Sequence, residues 1–79
     1  MTKLQIRMQQ VGQVRDFVDL LSKYPYEMDL VSGRYTIDAK SLLGIYSLDL
    51  NNPLPLVIHS DSCEELLAQL HALLPDCIA

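Results

Sequence analysis

The sequence is most informative at Ala39-Lys40-Ser41-Leu42-Leu43-Gly44-Ile45-Tyr46-Ser47-Leu48-Asp49-Leu50. Apolar and polar residues alternate up to Lys40-Ser41, which is typical of a strand, and a short apolar segment follows. Ser41 can cap a helix with its hydroxyl, and the segment to Leu48 is long enough for about two helical turns. Gly44 weakens the helical pattern, because glycine is a poor helix former. The stretch therefore predicts a strand, a serine cap and a short helix.

The N-terminal part changes from a strand pattern to a helix pattern. Apolar residues alternate with polar ones at the start, which predicts a first strand with one buried face. They are Leu4, Ile6 and Met8. The spacing then predicts an amphipathic helix over residues 11–23, and Pro25 should end it because proline lacks the backbone donor. The apolar stripe of this helix consists of Val14, Phe17, Val18 and Leu21.

Two strands and a hairpin are predicted in the next segment. Apolar and polar residues alternate over 26–30 and again over 35–40, and Ser32-Gly33 lies between the two runs. Glycine readily adopts the positive φ that tight hairpin turns require. A hairpin should therefore join these two strands.

The C-terminal part predicts a fourth strand and a last helix. Residues 56–58 form a short β-prone run, and Pro55 places this strand near an edge of the sheet or at its start. Ser62 and Glu65 have the spacing of a capping box for the helix that follows, and Pro75 should end it. The apolar face of this helix is predicted to carry Leu66, Leu67, Leu70, Leu73 and Leu74.

The element order is therefore strand, helix, strand, strand, short helix, strand, helix. Mixed elements joined partly by a hairpin favour an α+β fold of two layers, in which the helices cover one face of a four-stranded antiparallel sheet. A chain of 79 residues has room for one core, so residues 1–79 are predicted to form a single domain.

Composition excludes several functional classes. The net charge of −4 provides no clustered basic surface for nucleic acid. No run approaches the roughly 18 apolar residues of a membrane span, and the polar N-terminus does not fit a signal peptide, so a cytoplasmic protein is expected. No catalytic constellation or phosphate-binding glycine loop is visible, so neither an independent enzyme nor a bound cofactor is expected.

The two cysteines, Cys63 and Cys77, flank the last helical pattern. A helix of about a dozen residues at ~1.5 Å per residue would hold them too far apart for a disulfide, so both are predicted to be free thiols. With His71 they make an incomplete ligand set on one helix, and no metal site is expected.

The run from Lys40 to Leu50 resembles the regulatory-serine segment of the HPr family, the small phosphocarrier proteins of the bacterial sugar phosphotransferase system. The family pattern is roughly Ala-Lys-Ser-hydrophobic-hydrophobic-Gly-hydrophobic-x-Ser-Leu. The resemblance implies an open-faced β-sandwich with three helices and the order βαββαβα. It also implies that Ser41 matches the serine phosphorylated by a dedicated kinase. Phosphorylation there would add about −1.5 to −2 charge, with which Lys40 could pair.

The same resemblance implies a surface for protein partners after this serine. In the family, that surface docks the serine kinase and a transcriptional regulator. The residues concerned are Lys40, Leu42, Leu43 and Tyr46. An apolar stripe at helical spacing equally fits a face packed against the core, and the sequence leaves both interpretations open.

A phosphohistidine carrier needs an imidazole at the start of its first helix, where N–H groups and the helix dipole stabilise the phosphoryl group. The family motif is Gly-Leu-His-Ala-Arg-Pro. Alignment without gaps places Gln10 at the histidine position, whereas a short deletion aligns Gly12-Gln13-Val14-Arg15 with the motif. The second alignment restores the glycine and Arg15 but places Gln13 at the histidine. A carboxamide is a poor nucleophile because its nitrogen lone pair is delocalised.

The sequence therefore predicts an HPr-like regulatory or protein-binding module without phosphocarrier activity, with Ser41 as its switch. It is similar in its missing histidine to the catabolite-repression homologue of HPr. The alternative is a phosphocarrier of the phosphoenolpyruvate-dependent sugar phosphotransferase system with an unexpected acceptor, His59 or His71. These two histidines, predicted on a strand and on the last helix, are expected instead to be ordinary surface or half-buried residues.

Overall fold

The computed structural model describes residues 1–79 and contains four strands, three α-helices and a 3₁₀ turn. The elements are β1 (Thr2–Ile6), α1 (Val11–Leu21), β2 (Met28–Ser32), β3 (Tyr35–Asp38), α2 (Leu42–Tyr46), β4 (Leu54–Ile58), α3 (Glu64–Leu73) and the turn Pro75–Cys77. All neighbouring strands pair antiparallel, in the order β1-β4-β2-β3. The α+β fold predicted from the sequence, with the order βαββαβα, is confirmed.

One face of the sheet is apolar because the two central strands place apolar residues at every second position. Leu54, Leu56 and Ile58 of β4 are buried, and so are Met28 and Leu30 of β2. The helices cover this face with residues at helical spacing. Their buried side chains are Val14, Phe17, Leu20, Leu21, Ile45, Leu66 and Leu70. These residues belong to one core between the two layers.

The alternate positions of the strands form the open face of the sheet. The register places Val57 of β4 between Lys3 of β1 and Asp29 of β2, and it places Asp29 opposite Asp38 of β3. At one edge, the C-terminal end of β1 is paired with the end of the chain, because Ile6 forms an antiparallel bridge with Ile78. The other edge is β3, which is short.

The hairpin turn lies one residue later than predicted. Ser32 pairs with Tyr35, so Gly33 and Arg34 are the two central residues of the turn. Gly33 has φ 59°, whereas Arg34 does not have a positive φ. A glycine with positive φ at the first central position is typical of a type II′ turn, whose twist matches that of the flanking strands.

Several boundaries are shorter than predicted. Helix α1 ends at Leu21, where the prediction extended to residue 23, and α2 ends at Tyr46, where the prediction extended to Leu48. Strand β1 ends at Ile6, so Met8 is buried beyond the strand. None of the helices has the length and apolarity needed to cross a membrane.

Pro55 is the second residue of β4, which is a central strand. Strand β4 pairs with β1 along its whole length, but it pairs with β2 only from Leu56 to Ile58. The missing N–H of Pro55 therefore falls where β4 has a single neighbour. This agrees with the predicted place at the start of the strand, although the strand itself is not at an edge.

The predicted capping box of Ser62 and Glu65 is wrong. Helix α3 begins at Glu64, and its N-cap is Cys63, whose side chain makes no capping hydrogen bond. The backbone N–H of Ser62 donates to the Oγ of Ser60 at 3.1 Å. Ser62 therefore belongs to a turn that precedes the helix.

The predicted apolar face of α3 is only partly correct. Leu66, Leu70 and Leu74 are buried, whereas Leu67 is half-buried and Leu73 is 60% exposed. The helix meets its neighbours along a narrower stripe than the leucine pattern suggests. The prediction that Pro75 ends the helix is confirmed, because a 3₁₀ turn begins there.

Both cysteines are buried free thiols, as predicted. Cys63 precedes α3, and its Sγ lies 3.4 Å from the Oγ1 of Thr2. Cys77 lies in the final 3₁₀ turn. Helix α3 separates them along the chain.

Candidate functional site

Ser41 is the N-cap of α2, as predicted. Its backbone is extended, and its Oγ accepts a hydrogen bond from the backbone N–H of Gly44 at 3.1 Å. This bond satisfies one of the N–H groups that have no partner within the first turn of a helix. The side chain of Ser41 is half-buried.

Gly44 lets α2 approach β3 closely. A Cβ at this position would lie 2.7 Å from the Cγ2 of Ile37 and 3.0 Å from the Oγ of Ser41. The glycine that weakens the helical pattern of the sequence is therefore required by packing.

The residues after Ser41 divide between the core and the surface. Ile45 is buried, and Leu42 is half-buried against the core. Leu43 is 81% exposed and Tyr46 is 40% exposed. These two lie at i and i+3, so they share one face of α2. The sequence left open whether these residues pack on the core or form a surface patch. Leu42 packs against the core, whereas Leu43 and Tyr46 are exposed at the surface.

The side chain of Lys40 is bonded to Tyr24, in the segment after α1, rather than to Ser41. Its Nζ donates to the backbone carbonyl of Tyr24 at 2.7 Å, and its backbone N–H donates to the Oδ1 of Asp38 at 2.9 Å. Tyr24 follows the C-terminal end of α1, where a cation is favourable. The bond to Tyr24 uses one of the three N–H donors of this ammonium group.

The start of α1 is formed by glutamines. Gln10 is the N-cap, with an extended backbone, and its side chain is exposed. The Oε1 of Gln13 accepts hydrogen bonds from the backbone N–H groups of Gln9 at 2.8 Å and Gln10 at 3.1 Å. Gln13 therefore has a structural role at this turn, and Gln10 stands where the chain enters the helix. Arg15 is exposed on the next turn.

A cleft of about 320 Å³ joins the start of α1 to α2. The hydroxyl of Tyr46 donates to the backbone carbonyl of Val11 at 3.4 Å across this cleft. Its lining comprises Met8, Gln9, Gln10, Val11, Val14, Tyr46, Leu50 and Asn51. The two segments that were predicted separately, around Gln10 and after Ser41, thus lie together.

Val11 belongs to this site without having been predicted from the sequence. It is the first residue of α1 and is 72% exposed, although its spacing to Val14 continues the buried stripe. The sequence signal that could have identified Val11 as exposed was its position at the start of the helix, because the first turn of a helix often extends beyond the core. The α1–α2 surface consists of Gln10, Val11, Leu43 and Tyr46.

The two histidines lie on other elements. His59 follows β4 on the open face of the sheet, and its Nε2 lies 2.7 Å from the Oδ2 of Asp29. His71 is exposed in the last turn of α3. The structure contains no group of three or more His, Cys, Asp or Glu side chains arranged to hold a metal ion.

The sheet with one open face and the order βαββαβα define an open-faced β-sandwich, in which α1 and α2 lie side by side in the helical layer. This is the fold of the HPr phosphocarrier proteins. The chain is similar to the crystal structure of HPr-C-His from Thermoanaerobacter tengcongensis, with a TM-score of 0.75 and 23% identity over 96% of this chain and 93% of that chain. It is also similar to the phosphocarrier protein HPr from Bacillus anthracis str. Ames, with a TM-score of 0.66 and 21% identity over 90% of each chain.

No family model matches the sequence, and no curated protein matches it. The similarity is therefore one of fold, and it extends over nearly the whole chain. The resemblance to HPr that was inferred from Lys40 to Leu50 is confirmed at this level.

Proposed function

We propose that this protein is an HPr-like regulatory module that binds a protein partner through the α1–α2 surface and carries no phosphate on histidine. In this proposal it is not itself an enzyme, and phosphorylation of Ser41 switches its binding. One observation carries the proposal, namely that Gln10 and Tyr46 line the same cleft. A carboxamide occupies the helix start, where a carrier of this fold would need an imidazole, and an exposed aromatic ring stands beside it.

The chemistry of the helix start supports the absence of phosphotransfer. An amide nitrogen with a delocalised lone pair is a poor phosphoryl acceptor, so Gln10 can contact a partner but cannot replace histidine. The ring of His59 is engaged with Asp29 on the open face of the sheet. His71 is on α3, and it too lies away from the start of α1.

The exposure of apolar side chains supports binding of a protein. Val11, Leu43 and Tyr46 are three of the six large apolar residues that are exposed in the whole chain, and they lie on two helices in contact. Clustered exposed apolar side chains mark interaction surfaces, and tyrosine is enriched at them. The neighbouring Gln10 and Asn51 provide hydrogen-bonding groups without a charge that must be desolvated.

The position of Ser41 supports a switch. It precedes Leu43 by two residues, so a phosphate of about −1.5 to −2 charge would lie at the border of the apolar surface. A partner that buries Leu43 would have to accommodate this charge. The core beneath α2 would keep its contacts, because the serine side chain is not part of it.

Incubation with an HPr-type serine kinase and ATP tests the switch by intact mass. The wild type should gain the mass of one phosphate, and Ser41→Ala should gain none. Ser47→Ala is the matched control, because Ser47 is an exposed serine at the other end of the same helix and should leave the gain intact. No gain in the wild type, with the kinase active on a control HPr, would reduce Ser41 to a helix cap.

Incubation with enzyme I and phosphoenolpyruvate tests the competing function, a phosphocarrier of the sugar phosphotransferase system. We expect no change in mass. An acid-labile gain of one phosphate that is lost in His59→Ala or His71→Ala would contradict the proposal and establish a carrier with an unusual acceptor.

Docking can be measured with the same kinase. Leu43→Asp places a charge on the exposed face of α2 within the α1–α2 surface and should raise the KM for this protein about tenfold, which is the size expected for losing one apolar anchor. Tyr35→Asp is the control, because Tyr35 is an exposed apolar residue at the β2–β3 hairpin and does not line the cleft. Equal effects of the two variants would contradict docking at α1–α2.

A further inference from the structure

A second concave surface lies on the other side of α1, where this helix meets the end of α3. It has a volume of about 260 Å³. The α1–α3 groove is lined by Asp16, Asp19, Leu20, Lys23, Leu73 and Leu74. It shares no residue with the α1–α2 surface, and the proposed function makes no use of it.

The floor of the α1–α3 groove is apolar. Leu20 is 5% exposed and Leu74 is 8% exposed, so both belong to the core and show only a small area in the groove. Leu73 stands beside them at 60% exposure. An aliphatic side chain placed against these three leucines would remove apolar area of both partners from water.

The rim of the groove is acidic. Asp16 and Asp19 lie at i and i+3 on α1, so their carboxylates share one face of the helix. Neither forms an ion pair, because the salt bridges in the structure join Met1 to Asp61 and His59 to Asp29.

Further negative charge lies near this end of the fold. Asp76 lies in the 3₁₀ turn that follows α3, and burial together with the charges of Asp76 and Asp16 raises the pKa of the Cys77 thiol. Lys23 is the single cation of the groove lining. The groove therefore offers unpaired carboxylates around an apolar floor.

We infer that the α1–α3 groove binds a basic amphipathic peptide segment of a protein partner, with one aliphatic side chain against Leu20, Leu73 and Leu74 and flanking Lys or Arg side chains on Asp16 and Asp19. A groove between two helices is a common seat for such a segment. Its volume is below the roughly 300–1,000 Å³ of typical small-molecule pockets, so it fits an anchoring side chain better than a whole ligand.

The charges argue against other occupants. Nucleic acid and an anionic membrane surface would both meet the unpaired carboxylates of Asp16 and Asp19. A second copy of this chain carries the same net charge of −4, so its approach is unfavourable at low salt. A basic segment is the partner that gains from these charges, and its affinity should fall as the salt concentration rises.

Selection of a displayed library of random short peptides on the full chain tests the inference. The enriched peptides should share a Leu, Ile or Met flanked by Lys or Arg. A synthetic peptide of the enriched sequence should shift the amide resonances of α1 and α3 in the labelled protein. Failure to enrich a shared sequence, or enrichment of an acidic one, would overturn the inference.

Variants identify the surface that binds the peptide. Leu73→Asp should weaken the affinity at least tenfold, and so should the double variant Asp16→Asn with Asp19→Asn, which keeps the side-chain shapes and removes the charges. Leu43→Asp on the α1–α2 surface should leave the affinity unchanged. Dependence on Leu43 instead of Leu73 would overturn the inference and assign the peptide to the α1–α2 surface. All these positions are exposed, so the variants should retain the wild-type fold, as a far-ultraviolet spectrum would verify.

Sedimentation of the free protein provides a further test. The chain should remain at constant mass as its concentration rises at low salt. A dimer that Leu73→Asp dissociates would overturn the inference in favour of a second copy in the groove. This outcome is independent of Ser41, so the inference and the proposed function can fail separately.

Discussion

The hydroxyl of Tyr46 lies 3.4 Å from the backbone carbonyl of Val11, so the last residue of α2 contacts the first residue of α1. Gln10 lines the same cleft. Helix α2, which Ser41 caps, and the start of α1 are far apart in the sequence but lie next to each other in the structure. Under the proposed function, a charge on Ser41 and a contact made by Gln10 would therefore act on the same bound partner.

Ser41→Ala should lower the free energy of unfolding by about 1 kcal/mol, the usual cost of removing a serine N-cap. The physical reason is the loss of the bond from the Gly44 N–H to Oγ. Ser41→Asp should retain most of the stability, because aspartate caps helices as well as serine does. Urea denaturation of the wild type, Ser41→Ala and Ser41→Asp measures these free energies of unfolding.

Ser47→Ala is the matched control for this cap. The Oγ of Ser47 donates to the carbonyl of Gly44 at the exposed C-terminal end of α2, and water can replace that bond. Its removal should change the free energy of unfolding by less than about 0.5 kcal/mol. Equal losses in the two alanine variants would show that Ser41 contributes nothing specific as a cap.

Gly44→Ala should destabilise the protein even though alanine is favoured over glycine in helices by roughly 0.5–1 kcal/mol. The new Cβ would lie 2.7 Å from the Cγ2 of Ile37, and an overpacked contact of this kind costs about 1–3 kcal/mol. Gly12→Ala is the control, because nothing lies within 4 Å of a Cβ there, and it should be neutral or stabilising. Thermal denaturation of both variants compares the two positions.

A double variant identifies the cause of the loss. Ile37→Ala removes the methyl group that a Cβ on Gly44 would meet, so Gly44→Ala should cost less in that background than in the wild type. Additive losses in the double variant would mean that the clash with Ile37 is not the reason.

The sequence predicted this fold well because periodicity reports burial directly. Alternation located the strands, and the buried stripe of α1 was correct at Val14, Phe17 and Leu21. The apolar spacing predicted burial wrongly where a helix extends past the elements that pack against it. Leu73 continues the leucine spacing of α3, yet it is exposed because no neighbouring element covers it there.

The sequence predicted individual residues of the candidate site, but it did not predict that they lie together in one cleft. Local chemistry identified Ser41 as a cap, since capping depends only on nearby residues. The cleft between Gln10 and Tyr46 depends on how α1 and α2 pack, which periodicity does not encode. The hydrogen bond from Lys40 to Tyr24 was equally hidden, because it joins positions that only the fold brings together.

Asp38→Asn should stabilise the protein by a few tenths of a kcal/mol. Asp38 lies directly opposite Asp29 across β2 and β3, and like charges in this arrangement are unfavourable. Asparagine keeps the Oδ1 that accepts the Lys40 N–H. The gain should shrink in high salt, because screening weakens the repulsion in the wild type.

Asp49→Asn is the control for this substitution. The Oδ1 of Asp49 accepts the N–H of Asn51 at 3.0 Å, so the local bond resembles that of Asp38 without an acid opposite. Chemical denaturation at low and high salt should show no comparable gain. A gain of equal size at Asp49 would attribute the effect to net charge rather than to the Asp29–Asp38 pair.

The Cys77 thiol should make stability fall in the alkaline range. Burial, followed by the charges of Asp76 and Asp16, raises the pKa of this thiol in the folded protein. The unfolded chain has an ordinary thiol that loses its proton above about pH 8.5. The folded state then holds a proton that the unfolded state releases, so the stability present below this pH is lost as the pH rises toward the folded pKa.

Denaturation of the wild type and Cys77→Ala between about pH 7.5 and 9.5 measures this effect. The alanine variant should be less stable throughout because it leaves a cavity, so the comparison is between the slopes. The free energy of unfolding should decrease more steeply with pH in the wild type than in the variant. Parallel curves would mean that the thiol has the same pKa in both states, since every other titrating group is common to the two proteins.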